Sequence, residues 1–128
     1  MRLTLTVLPG RLALCRLAPG AALPLTALRG PFWSLTGSAE ELSLVCPEAA
    51  APATARCEPG WRALRVEGPL DLALTGVIAA IATPLAAAGL PILPIASFDT
   101  DYVLVRAAQL TTAVTALRGA GMIVDDNA

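Results

Sequence analysis

The 128-residue sequence contains no histidine, and its nine basic residues are all arginine, so lysine is absent too. Without histidine there is no Ser-His-Asp triad, no Cys-His pair and no imidazole to ligate a metal. Without lysine there is no Schiff base for a pyridoxal cofactor and no P-loop lysine for a nucleotide phosphate. No nucleophile–base pair remains, so we expect no enzyme, no catalytic residue, no metal site and no cofactor. Charge is sparse, at 15% of residues, and nearly balanced, with a net charge of −1. Such a chain carries no basic footprint for nucleic acid and no polybasic patch for anionic lipid. Aromatics make up only 4% of residues against 55% hydrophobic, so the core is expected to be aliphatic.

Cysteine is also scarce. Cys15, Cys46 and Cys57 are an odd number at wide spacings with no CxxC, which does not read as a disulfide framework or a zinc site. Cys15 and Cys46 lie in apolar runs and are expected as small buried core residues. Cys57 lies in a polar stretch and reads as an exposed thiol. No secretory signal is visible, because the run after Met1-Arg2 is short and ends at Pro9-Gly10. Leu72 to Phe98 carries no charge, but Pro84, Gly89, Pro91 and Pro94 interrupt it. A membrane span needs ~20 uninterrupted apolar helical residues. A cytoplasmic protein without membrane contact is therefore expected.

Periodicity gives the elements. Leu3-Thr4-Leu5-Thr6-Val7 alternates with period two and reads as a strand. Pro9-Gly10 is a turn dipeptide, so Leu12-Ala13-Leu14-Cys15 is expected to pair back onto that strand as a hairpin. Residues 22–29 are a weak helical candidate. Phe32 to Thr36 and Leu42 to Cys46 flank Gly37-Ser38-Ala39-Glu40 as a second hairpin. Pro47 to Gly60 has no hydrophobic period and reads as a linker. Arg62 to Glu67 is a strand. Leu74, Val77, Ile78, Ile81 and Leu85 form one face of a helix over 74–88, with Pro84 inside it and Gly89 closing it. Leu90 to Phe98 is a strand in which Pro91 and Pro94 cannot donate ladder bonds, which argues for an edge. Tyr102 to Val105 is the next strand. Leu110, Ala113, Val114 and Leu117 mark a second helix, and Met122 to Val124 a last strand. The C-terminal half thus reads β-α-β-β-α-β, an α+β ferredoxin-like split βαβ with an antiparallel sheet and both helices on one face.

This order, with Gly68-Pro69-Leu70-Asp71 ahead of Leu74-Thr75-Gly76-Val77, resembles an ACT domain. It is similar in particular to bacterial tandem-ACT proteins related to the CASTOR-type arginine sensors. That likeness rests on Trp61-Arg62-Ala63-Leu64, Pro84-Leu85-Ala86, the run from Ile95-Ala96-Ser97-Phe98 through Asp99-Thr100-Asp101 to Val105, and Glu41 to Pro47. The resemblance covers most of the chain. It implies two ACT-like units, a degenerate one over 1–58 and a fuller one over 59–128. It also implies amino-acid binding at an interface between ACT units. Carried over residue by residue, the loop side is Leu74, Thr75, Gly76 and Val77, and the strand side is Ser97, Phe98, Thr100 and Asp101. Asp101 matches a family position that receives the side chain of a bound arginine. The sensors carry four units where this chain carries two, so the resemblance implies completion by a second chain.

Elementary electrostatics points to the same gap. A helix start offers unpaired N–H groups and a partial positive charge, so the amides of Thr75, Gly76 and Val77 suit a carboxylate. Asp101 and Asp99 then suit an amino group or a cationic side chain. The plainer alternative stays open at this point: Thr75 is only a helix cap, and Asp99-Thr100-Asp101 only a hairpin turn. Two functions follow. One is a regulatory module that binds a free amino acid as a homodimer. The other is a ligand-free assembly domain using the same interface. The Ala79, Ala80, Ala86 and Ala87 face of the first helix is expected to suit close packing against a second copy.

Overall fold

The computed structural model describes residues Met1 to Asp126. In chain order the strands are β1 Thr4–Val7, β2 Leu12–Leu17, β3 Ser34–Gly37, β4 Leu42–Pro47, β5 Arg56–Val66, β6 Ile92–Ala96, β7 Asp101–Arg106 and β8 Ile123–Asp125. The α-helices are α1 Val77–Ala87 and α2 Leu110–Gly119. Two compact units result: Met1–Pro9 together with the chain from Arg62 onward, and Gly10–Trp61. The fold is α+β with mainly antiparallel strand pairing, and β5 to β8 with α1 and α2 follow the ferredoxin-like order.

In the first unit the strand order is β8-β1-β5-β7-β6. Period-two alternation turns Leu5 and Val7 of β1, Leu64 and Val66 of β5, and Val103 and Val105 of β7 into one core. Val77, Ile81 and Leu85 of α1 and Ala113, Val114 and Leu117 of α2 fill that core from the helices. These are the helical spacings read from the sequence. Each fully buried aliphatic side chain contributes roughly 1.5–3 kcal/mol of transfer free energy. α1 runs through Pro84 and is followed by Gly89 at φ +75°. It starts at Val77, three residues later than Leu74. Ala79, Ala86 and Ala87 are exposed, whereas Ala80 packs against the core. Among the described residues β6 pairs only with β7, in keeping with Pro94 inside it, which has no N–H for a ladder on a second side.

β1 corrects the expected first hairpin. It does not pair with β2 but lies between β5, antiparallel, and β8, parallel. In a plain split βαβ the last strand would lie beside the first strand of its own unit; here an N-terminal strand is inserted between them. Leu5 stands opposite both Val66 and Val124, which buries it completely. Pro9-Gly10 still turns the chain, with Gly10 at φ +86°, but not into a hairpin.

The Gly10–Trp61 unit has strand order β3-β4-β2-β5. The hairpin of β3 and β4 closes around Ser38, whose hydroxyl accepts from the Glu40 and Glu41 amides at 3.2 Å. Among the described residues this unit contains no α-helix; the 22–29 candidate reduces to a 3-10 turn at Leu25–Ala27. The expected linker is partly sheet. Arg56 to Gly60 opens β5, and the register against β2 shifts between Leu12↔Trp61 and Leu14↔Glu58. Gly60 takes φ +84° at that bulge, which absorbs the extra residue beside Pro59. Glu48 pins the segment: its carboxylate accepts from the Gly60 amide at 2.9 Å and meets Arg11 Nε at 3.3 Å.

The cysteine reading also needs correction. Cys15 and Cys57 face each other across β2 and β5 and form a disulfide. Cys57 is therefore not a free thiol, and Cys15 is not a lone core residue. Cys46 is the free cysteine, fully buried, and desolvation pushes its thiol pKa up.

Candidate functional site

Two segments of the first unit face each other across a cavity of about 220 Å³. One wall is the turn from Leu70 to Leu74 and the start of α1 at Val77. Asp71 builds this turn. Its carboxylate accepts from the Ala73 amide at 2.8 Å, and its carbonyl accepts from the Leu74 amide at 2.9 Å. The turn ends at Gly76, which caps α1 in the left-handed conformation at φ +85°. Thr75 is thus not the cap, and α1 has no side-chain cap bond. Ala80 donates to the Gly76 carbonyl, the first bond of the helix. Among the described residues, none of the amides from Thr75 to Ala79 donates to a backbone carbonyl. They carry the partial positive charge of the helix start.

The other wall is the end of β6, the turn to β7, and Asp101. Ser97 closes the turn. Its amide and hydroxyl both donate to the Thr100 carbonyl, at 2.9 and 2.8 Å. Thr100 is 7% exposed, and its hydroxyl donates to the Val66 carbonyl at 2.6 Å. The walls are tied together where the Leu70 amide donates to the Asp99 carbonyl at 2.6 Å. Gly68 permits that approach. A Cβ there would lie 3.0 Å from the Asp99 carbonyl oxygen and 3.1 Å from Thr100 Cβ. Gly68→Ala is therefore expected to destabilise the protein by about 1–3 kcal/mol. An unchanged urea midpoint would show that the loop and the turn are not in contact.

The structure brings Leu74, Val77, Ser97, Phe98, Thr100 and Asp101 to this one cavity. Thr75 and Gly76 lie beside it and do not line it. A side chain at Gly76 is opposed mainly by its positive φ, since the nearest atom to a Cβ, Met1 Cε, is 3.8 Å away. Gly76→Val would therefore strain the turn itself as well as any ligand position. Asp71 and Asp99 join Asp101 around the cavity, and no basic residue lines it. The sequence shows Asp71 only as part of a chain break; an Asp at the head of a turn leading to an apolar helix is the signal that marks it. The rim is apolar and bare: Phe98 is 81% exposed, Leu72 74% and Leu74 47%. Chemically, the cavity offers oxygen acceptors for a cationic group and amide donors beside them.

A sequence model of the ACT domain family matches residues 56–119, and one described as an N-terminal domain matches residues 10–54. No curated protein matches the chain. Among solved structures, protein Atu0741 from Agobacterium tumefaciens is 33% identical with a TM-score of 0.90, over 97% of this chain and 92% of that one. A protein of unknown function from Vibrio cholerae, VC0802, is 22% identical with a TM-score of 0.77, over 93% and 90%. The regulatory subunit of aspartate kinase from Thermus thermophilus shares the fold at 14% identity and a TM-score of 0.63, over 88% and 93%. Half of the sequence, from the N-terminal part of β5 through α2, fits the family model, and the βαββα arrangement it covers is the one described above: the chain belongs to the ACT domain family.

Proposed function

We propose that this chain is a regulatory module that binds a free amino acid between the α1 start and the β6–β7 turn, at an interface between ACT units. One observation carries the reading: a small cavity with three carboxylates, Asp71, Asp99 and Asp101, beside unpaired helix-start amides. An α-amino acid is a zwitterion, and this arrangement complements both of its charges. A cationic side chain suits the acidic wall further, in line with the likeness to CASTOR-type arginine sensors. The bare Phe98, Leu72 and Leu74 rim supports a homodimer in which a second chain covers the ligand. Family membership and the fold shared with a regulatory subunit favour regulation over catalysis. No described helix is long and apolar enough to cross a membrane. The cytoplasm is the compartment proposed.

Thermal unfolding in the presence of each of the twenty amino acids tests the proposal. A ligand at a hundred times its Kd adds ~2.7 kcal/mol of stability. Asp101→Ala should then weaken binding by tenfold to a hundredfold, the worth of one charge-assisted bond of roughly 1.5–3 kcal/mol. The second reading is a ligand-free assembly domain, favoured by the 81% exposure of Phe98. It predicts no shift with any amino acid, and a dimer that Phe98→Ser dissociates.

A further inference from the structure

Arg62 is a cation set into the edge of the core. It precedes Leu64 and Val66 on the helix-facing side of β5. Its Nη2 donates to the Leu8 carbonyl at 3.1 Å. Its Nε is shielded from solvent and meets no acceptor. The carboxylate in the same region, Asp126, pairs with Arg118 instead. A shielded donor with no partner is costly, and native structures satisfy such groups with water or an ion.

A cavity of about 440 Å³ opens beside this guanidinium. One stripe of α2 forms its opposite wall, with Leu110 and Val114 as apolar surface and Thr111 and Thr115 as hydroxyls. The Thr115 hydroxyl is spent on the Thr111 carbonyl at 2.9 Å, which leaves Thr111 as the available donor. Arg118 is committed elsewhere: its Nη2 donates to the Val124 carbonyl at 2.7 Å and lies 3.8 Å from Asp126. Asp126 also lines this cavity, where its carboxylate faces Arg118, so Arg62 is the cation whose shielded donor stays unspent.

We propose that this cavity is a second ligand site, for a small organic anion whose carboxylate or phosphate pairs with Arg62 and whose aliphatic part lies on Leu110 and Val114. The guanidinium offers Nε and an Nη in the fork geometry that oxyanions accept. The site is distinct from the acidic cavity, and the two are opposite in charge. Val66, which accepts from Thr100 at the acidic cavity, lies four residues along β5, about 13 Å away at a strand's rise. The proposal stands whether or not the acidic cavity binds an amino acid.

The test is an amide NMR titration of the full chain with inorganic phosphate and, separately, with butyrate, at ionic strength held constant with chloride. Saturable shifts are expected at Thr111, Val114 and Thr115 and not at Ser97 to Asp101, and the tighter probe identifies the oxyanion. Arg62→Gln should weaken that probe at least tenfold, and Thr111→Val, on the exposed helix surface, several-fold. Arg65→Gln, exposed on the other side of β5, should leave binding unchanged. The proposal is overturned if neither probe gives saturable shifts on α2, since water then satisfies Nε. It is equally overturned if folded Arg62→Gln binds as tightly as the parent. Should Arg62→Gln fail to fold, the parent map and Thr111→Val decide the matter alone.

Discussion

Replacing both Cys15 and Cys57 with alanine is expected to lower the stability of the Gly10–Trp61 unit by about 4 kcal/mol. The bond joins residues 42 apart, and closing a loop of that length removes this much chain entropy from the unfolded state. The cluster around the bond is Ala13, Cys15, Ala27, Leu44 and Cys46, four of them small, with Leu12, Phe32, Leu42, Val45 and Trp61 also buried in the unit and no α-helix over it among the described residues. Small scaffolds of this kind lean on a staple. The measurement is urea unfolding of oxidised parent, reduced parent and double variant. Reduced parent and variant should coincide, well below the oxidised parent. After unfolding in non-reducing buffer, one thiol per chain should react, that of Cys46. Three reactive thiols, or a midpoint indifferent to reductant, would contradict the pairing.

The next largest effect is expected at Leu5. Leu5→Ala should cost about 3–5 kcal/mol, the range for a fully buried leucine whose site cannot collapse. The loss should fall on the unit formed with Arg62 onward, not on residues 10–61. Leu5 stands between Val66 and Val124 in the middle of that sheet, so a cavity there loosens β1, β5 and β8 together. Deleting residues 1–9 should go further, since it removes the strand that pairs with both neighbours. Hydrogen exchange reads the outcome by segment. Protection lost in β5, α1 and β8 supports the inserted strand. Protection lost in β2 and β4 alone would restore the hairpin that the Pro9-Gly10 turn suggests.

What was legible in the sequence was local. Val77, Ile81 and Leu85 repeat at helical spacing because one helix face meets one core, and no distant residue is needed to see it. Pro91 and Pro94 announce an edge because a missing N–H is a property of the residue itself. Partner choice was not legible. The alternation of Leu3, Leu5 and Val7 says that β1 has a buried face but not which strand lies beside it, and a near turn pulls the inference toward a hairpin. Cys15 and Cys57 meet across 42 residues through a register that depends on the Gly60 bulge, which spacing alone does not encode. The same division holds at the cavity. Ser97, Phe98, Thr100 and Asp101 share one turn and were found together. Thr75 and Gly76 enter the site through the family resemblance and a helix start near Leu74, whereas α1 starts at Val77 after the Asp71 turn and the two lie beside the cavity. Thr100 lines the cavity while its hydroxyl donates to the Val66 carbonyl, a bond across 34 residues that the turn sequence does not encode.

The central claim is that an amino acid occupies the cavity between the α1 start and the β6–β7 turn, and an amide NMR titration of the parent tests it most directly. The titrant is whichever amino acid stabilises the protein most. The account predicts that the amides of Thr75 to Ala79 and those of Ser97 to Asp101 shift together, saturate at one Kd, and lose that response in Asp101→Ala. Saturable shifts confined to other segments, or none from any amino acid at millimolar concentration, would contradict it.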